Sequence, residues 1–175
     1  FQGAAYSFNS SNSCSLPEGE YEICLKAQDA KSSETLGQAS CGRIRIKLNG
    51  QPSLISPLSA VSVVHQHSSS RILFQWSAGK RFNLNTNVKY EFVLVELDGT
   101  SIAFLDENFQ RYKRIYKTST SGTTLSYGLM EPRLTSGKRY AWRVQASSSE
   151  GGNGDFSNLG CSKVNWFVYQ NESGR

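Results

Sequence analysis

The stretch Leu134-Thr-Ser-Gly137-Lys-Arg-Tyr140-Ala-Trp142-Arg-Val144-Gln-Ala146 decides the fold, because the chain contains a second version of it, Leu16-Pro-Glu-Gly19-Glu-Tyr21-Glu-Ile23-Cys-Leu25-Lys-Ala27. Each copy consists of a turn, then a tyrosine, then a run in which apolar residues recur at every second position. A period of two predicts a strand with one buried face. Two copies of one turn-and-strand unit predict tandem β-sandwich modules, and such modules favour binding or spacing over catalysis.

The composition indicates an exported, β-rich protein. Of the 175 residues, 38% are hydrophobic and 19% are charged, and Met occurs once; this is little charge for a helical protein. The net charge of +5 is small and dispersed, so we expect a mildly basic surface and no nucleic-acid partner. No apolar run approaches the roughly 20 residues that a membrane helix needs, so we expect no direct membrane span.

The first 51 residues predict an incomplete module. Three strands are expected, at 4–8, 20–28 and 40–48, and the apolar side chains of the second strand would form one buried face. Three strands cannot enclose a two-sheet core. We therefore predict that 1–51 are the C-terminal strands of a first module that begins outside the chain, or that they borrow strands from the second module, a partner or a second copy.

Residues 52–170 predict a complete module, and 171–175 form a tail. Pro52 and Pro57 flank the first residues of this module, Leu54-Ile55, as expected for an edge strand. The strands that follow are predicted at 61–64, 71–77, 88–97, 123–127, 139–147 and 163–169. Short strands separated by turn signals indicate a β-sandwich.

The alternation also predicts which side chains form the core. Trp76 and Trp142 are expected inside, together with Ile72 and Phe74. The position of Trp166 stays open, because Phe167 and Tyr169 compete for the inward face. The strand at 88–97 is expected to be central, since it carries apolar side chains on both faces: Tyr90, Phe92 and Leu94 on one, Val93 and Val95 on the other.

The four cysteines favour disulfide bonds and an oxidising compartment over a metal site. None forms a C-x-x-C motif, and no histidine stands at a zinc-ligand spacing from them. Cys24 and Cys41 lie on consecutive predicted strands of one hairpin, so we predict that they pair. Cys14 and Cys161 belong to different modules; a bond between them and two free thiols both remain open.

No catalytic or cofactor-binding motif is present. The sequence lacks a G-x-S-x-G elbow, an H-E-x-x-H motif and a P-loop. Gly151-Gly-Asn-Gly154 is interpreted as a hairpin turn, because a phosphate cradle needs a following helix. His65 and His67 share a strand face but have no nearby carboxylate to complete a metal site. Four carboxylates are interpreted as solvated turn residues: Glu96, Asp98, Asp106 and Glu107. We therefore expect no enzyme activity, metal or cofactor.

The stretch Arg111-Tyr112-Lys113-Arg114-Ile115-Tyr116-Lys117 is the one concentrated basic patch. Basic residues interleaved with aromatic ones can bind anionic glycans or single-stranded nucleic acid. The favoured interpretation is an edge strand that its charges protect against pairing with other chains. The stretch is still the best candidate for a contact surface, with Arg111, Tyr112, Lys113, Arg114, Tyr116 and Lys117 as its interaction residues.

Several stretches resemble fibronectin type III domains. Leu134-Thr-Ser-Gly137-Lys-Arg-Tyr140 resembles their tyrosine corner, and Phe74-Gln-Trp76 resembles their strand with the core tryptophan. Together with Leu54-Ile-Ser-Pro57 and Asn158-Leu-Gly-Cys161, their order resembles the large TANFOR-type cell-surface proteins of Bacteroidota. The resemblance implies an all-β chain of tandem fibronectin type III-like (immunoglobulin-like) β-sandwich modules, the first incomplete. The long stretch after Leu97 departs from that family's pattern.

The resemblance also implies export to the envelope or surface of bacteria that use type IX secretion and gliding motility. We therefore expect a non-enzymatic structural or interaction module. Its partners would be other envelope or surface proteins, or neighbouring modules of the same protein, with a glycan as a further option. Two alternatives stay open: a carbohydrate-binding or adhesin domain, and an accessory domain of a secreted hydrolase.

Overall fold

The computed structural model describes residues 18–58, 63–67, 71–80, 87–98, 105–149 and 152–172. The chain divides into two compact units, Phe1–Lys47 and Leu48–Arg175. The sequence places the boundary after residue 51 instead. Asn49 and Gly50 belong to the second unit because their amides donate to the carbonyl oxygens of Asp155 and Lys80, at 2.8 and 2.6 Å.

The described part of the first unit is a hairpin of two antiparallel strands, β1 (Gly19–Leu25) and β2 (Ser40–Ile46). Cys24 lies directly opposite Cys41 in the register, and a disulfide joins them. The predicted pairing is therefore confirmed. The strand predicted at 4–8 lies outside the described residues.

The apolar side chains of this hairpin are exposed, although the alternation predicts one buried face. Ile23, Leu25 and Ile44 are 47%, 74% and 41% exposed. Alternation separates the two faces of a strand, but burial requires a second layer. Two paired strands alone cannot supply that layer.

The second unit is a sandwich of two sheets. The smaller sheet pairs β3 (Ser53–Ser56), β5 (Ile72–Ser77) and β8 (Thr124–Tyr127) in that order. The larger sheet contains β4 (Val63–His67), β6 (Val88–Leu97), β7 (Lys113–Thr120), β9 (Arg139–Ser148) and β10 (Asn165–Glu172). Its strand order is β4-β10-β9-β6-β7, with the β4–β10 pair parallel and the others antiparallel. The predicted all-β sandwich and the central position of β6 are confirmed.

An aromatic core joins the two sheets. The ring of Phe74 lies 4.8 Å from that of Phe92 and 5.0 Å from that of Trp142, both in edge-to-face geometry. Ile72 and Trp76 are buried beside them, as the alternation predicts. The inward positions of β5, β6 and β9 therefore meet between the sheets.

A second, smaller core lies on the opposite face of the larger sheet. It contains Val95, Phe109 and Ala141, and the side chain of Trp166 packs against it. A short helix, α1 (Leu105–Asn108), and the 3₁₀ turn Phe109–Arg111 cover this face. These elements of four and three residues are too short for a helical period to be visible.

The connection from β9 to β10 is longer than the predicted hairpin turn at 151–154. It contains two 3₁₀ turns, Asn153–Asp155 and Ser157–Gly160. Asn158, Leu159 and Gly160 have φ angles of 52°, 50° and 73°, so three consecutive residues adopt the left-handed conformation. Only glycine adopts it without a steric cost.

Replacing Gly160 with alanine is expected to destabilise the second unit strongly. An added Cβ would lie 2.1 Å from the carbonyl oxygen of Ala146, so the connection would have to move away from β9. We expect the free energy of unfolding, measured by urea denaturation, to fall by about 3 kcal/mol.

Gly137→Ala is the matched control. Its φ angle is 83°, and an added Cβ would meet no atom within 4 Å. This variant should lose only the left-handed backbone cost of about 1–2 kcal/mol. Equal losses for the two variants would contradict the steric explanation.

The tyrosine corner predicted at Leu134, Gly137 and Tyr140 is present. The Tyr140 hydroxyl accepts a hydrogen bond from the backbone N–H of Thr135 at 2.8 Å, and its side chain is 1% exposed. Leu134 packs against the main core. The corner thus anchors the start of β9 to the loop that precedes it.

Replacing Tyr140 with phenylalanine should remove this hydrogen bond and leave the ring in place. We expect the free energy of unfolding to fall by about 1 kcal/mol and the Thr135 amide to exchange faster with deuterium. Wild-type stability together with unchanged exchange at Thr135 would show that the corner is not formed through this hydroxyl.

Candidate interaction groove

A groove lies on the outer face of the larger sheet, away from the main core. Its volume is about 410 Å³, within the roughly 300–1,000 Å³ of small-molecule sites. We call it the outer groove. Strands β6, β7 and β9 and the turn after α1 contribute its lining: Glu91, Val93, Val95, Phe109, Gln110, Tyr112, Arg114, Lys117, Arg143 and Gln145.

Strand register brings the charged residues together. Arg143 lies opposite Val93 on one side of β6, and Lys117 lies opposite Val93 on the other. Arg114 lies opposite Val95, because the β6–β7 register shifts between Leu94 and Val95. Residues three apart normally point to opposite faces of a strand; the bulge puts Arg114 and Lys117 on the same face.

The lining carries three positive charges and one negative charge. Lys117 Nζ lies 2.8 Å from Glu91 Oε2, and both side chains are partly exposed, so this pair adds little stability. The Arg143 guanidinium lies 4.6 Å above the ring centroid of Phe109, which holds it in a cation–π contact. Because Glu91 is paired with Lys117, no carboxylate of the lining pairs with the guanidinium groups of Arg114 and Arg143.

The left-handed turn supports one wall of the groove. The Gln145 side-chain amide donates to the Leu159 carbonyl oxygen at 3.0 Å, and Gln145 also pairs with Cys161 through the backbone. Within the turn, the Asn158 side-chain amide donates to the Cys161 carbonyl oxygen at 2.9 Å. The turn thus fixes the amide that Gln145 presents to the groove.

The predicted basic patch is divided between this groove and the rest of the unit. Tyr112, Arg114 and Lys117 line the groove, whereas Arg111 and Lys113 are exposed outside its lining. Tyr116 is partly buried and faces the main core, where its ring lies 5.3 Å from that of Tyr127. The bulge turns Tyr116 inward, a tertiary effect that the alternating pattern does not show.

The structure adds lining residues that the sequence did not single out. Arg143 and Gln145 stand on β9, and Glu91 stands on β6, far from the patch in sequence. The sequence contains only a weak indication of these residues. Val93 and Val95 predict that the outer face of β6 is partly covered by other parts of the protein, and β9 is the strand that pairs with β6 there. Strand order, which depends on the fold, is needed to bring these residues together.

Two of the four clustered carboxylates, Glu96 and Asp106, have structural partners rather than the solvated turn positions predicted for them, whereas Asp98 and Glu107 are exposed. Glu96 forms a salt bridge with Lys138, and this hydrogen bond raises the pKa of Lys138. Asp106 Oδ1 accepts the Val164 N–H at 2.7 Å. In the described residues, no group of three or more His, Cys, Asp or Glu side chains is placed to hold a metal ion. The side chains of His65 and His67 lie outside the described residues.

Cys161 is a free, half-buried thiol near Arg143, and Cys14 lies outside the described residues. Burial raises the pKa of Cys161, and the charge of Arg143 opposes this effect. The folded protein therefore disfavours the thiolate, which is the reactive form.

We expect iodoacetamide to alkylate Cys161 more slowly in the native protein than in urea at the same pH. Because the pKa of the folded thiol is raised, the native rate should still increase at pH values where the unfolded thiol has fully ionised. Mass spectrometric peptide mapping separates Cys161 from Cys14. A native rate that levels off at a lower pH than the unfolded rate would contradict this assignment.

The chain matches no protein-family model and no curated protein sequence. Among solved structures it is similar to the solution structure of the fibronectin type-III domain of human fibronectin type III domain containing protein 3. The two are 17% identical, over 73% of this chain and 92% of that chain, with a TM-score of 0.35. The strand order and the Tyr140 hydrogen bond make the second unit a β-sandwich with a tyrosine corner. The described helices are all too short to cross a membrane.

Proposed function

We propose that the chain is a non-enzymatic structural and interaction module of an exported bacterial envelope or cell-surface protein. The observation that carries the proposal is the outer groove. A sandwich that served only as a spacer would need no concave, charged surface on the solvent side of its larger sheet. Here α1 and the turn after it build such a surface on a second core.

Export is supported by the Cys24–Cys41 disulfide, because such bonds persist in oxidising compartments. The low charge and the resemblance to TANFOR-type proteins of Bacteroidota agree with it. We extend the proposal to type IX secretion or gliding motility on the strength of that resemblance. The partners would be other envelope or surface proteins, or neighbouring modules of the same protein.

The hairpin β1–β2 supports the idea that the first unit, Phe1–Lys47, belongs to a first, incomplete module. Its exposed side chains, Ile23, Leu25 and Ile44, need an apolar layer to cover them. A neighbouring module or a partner protein would provide that layer.

The test is made on the native protein in the source bacterium. Cells are treated with N-ethylmaleimide before lysis and then fractionated, and the cysteine peptides are mapped by mass spectrometry without reduction. We expect the protein in the envelope or surface fraction with the Cys24–Cys41 bond intact. A mutant that lacks type IX secretion should retain the protein inside the cell.

Reduced, alkylated Cys24 and Cys41 in a cytosolic fraction would overturn the proposal. Normal surface exposure in the secretion mutant would overturn only its type IX component. A substrate turned over by the purified full chain would overturn its non-enzymatic component.

A further inference from the structure

We propose that the outer groove binds an acidic carbohydrate, a polysaccharide with uronate carboxylates, and that Arg114 and Arg143 bind those carboxylates. This inference rests on the proposed function, since it names the ligand class of the same surface. It follows from four properties of the lining: its charge, the placement of its two arginines, the pairing of its backbone groups and the kind of polar side chains it presents.

The charge of the groove favours an anion. Glu91 is paired with Lys117, so Arg114 and Arg143 are the cations left to meet a ligand. Guanidinium groups bind carboxylates through two parallel hydrogen bonds. Phe109 already holds Arg143 in place, so little side-chain entropy is lost on binding.

The two arginines lie on opposite sides of one strand. Arg114 is on β7 and Arg143 is on β9, and β6 runs between them. With strands about 4.8 Å apart and the two arginines offset by two residues along β6, their backbones are separated by about 12 Å. A polymer with a carboxylate on successive units can therefore place one carboxylate at each arginine.

The backbone of the groove floor disfavours an extended peptide. Strand β6 is paired with β7 on one side and β9 on the other, so the sheet ladders use its N–H and C=O groups. Peptides that bind to sheets obtain their affinity from main-chain hydrogen bonds at a free edge. The floor offers side chains only, and a sugar needs no backbone partner.

The remaining polar side chains suit a hydroxyl-rich ligand. Gln110 and Gln145 are amides, which both donate and accept, and the carboxylate of Glu91 accepts hydrogen bonds from hydroxyl groups. The half-buried ring of Tyr112 adds an apolar surface with a polar tip. A uronate unit presents carboxylate, hydroxyl and C–H surfaces that match all of these groups.

The experiment measures binding of the full chain to soluble uronate polymers by isothermal titration calorimetry and affinity electrophoresis. The probes are polygalacturonate, alginate and hyaluronate. Methyl-esterified polygalacturonate is the matched probe, because it keeps the sugar backbone and loses the charge. Poly-glutamate is included as an acidic polypeptide.

The variants remove one charge at a time. Arg114→Gln and Arg143→Gln should each weaken binding of the acidic polymer by about tenfold or more. Lys113→Gln is the matched control: it removes the same charge from the same strand, one residue away and outside the groove lining. Thermal unfolding checks that Arg143→Gln keeps the fold, and Arg114→Gln tests the site without disturbing the Phe109 stack.

Binding of a uronate polymer that needs its free carboxylates and both arginines, but not Lys113, supports the inference. Failure of all three polymers to bind, equal losses in the three variants, or preference for poly-glutamate would each overturn it. These outcomes are independent of the proposed function. An oxidised surface protein that binds no uronate refutes only the glycan inference, whereas a reduced cytosolic one refutes the proposed function whatever it binds.

Discussion

Strand β6 is buried along its inner face and, around Val95, on its outer face as well, and the rest of the second unit depends on this. On one face Tyr90, Phe92 and Leu94 fill the space between the two sheets. On the other face Val95 needs its own cover, which α1 and the following 3₁₀ turn supply through Phe109. A strand that is apolar on both sides requires two protein layers. The groove exists because the second layer covers only part of its face.

The strands of the second unit were largely predictable from the sequence, and the groove was not. In β5, β6 and β9 the period of two predicted both the strands and their inward residues, because burial on one face produces that pattern directly. The α1 segment has no period to detect. The bulge between Arg114 and Tyr116 arises from the pairing of β7 with β6. The inward position of Tyr116 therefore could not be predicted from the sequence of β7 alone.

The two copies of the turn-and-tyrosine stretch show what alternation does and does not predict. Tyr140 is buried at the start of β9, where a second sheet lies across from it. Tyr21, at the same place in β1, is only half-buried, and Ile23 beyond it is exposed. The same local pattern gives the same local conformation in both units. Whether its apolar face is covered depends on a second layer, about which the pattern contains no information.

The alternation along β6, β7 and β9 assigns the folding of the core and the surface of the groove to different side chains. Inward side chains determine whether the sandwich folds, while the outward side chains at the rim of the groove have little part in its core. Substitutions at Arg114, Lys117 or Gln145 can therefore alter the charge and polarity of the groove at little cost in stability. The architecture therefore lets the surface of the groove change independently of the packing that folds the sandwich.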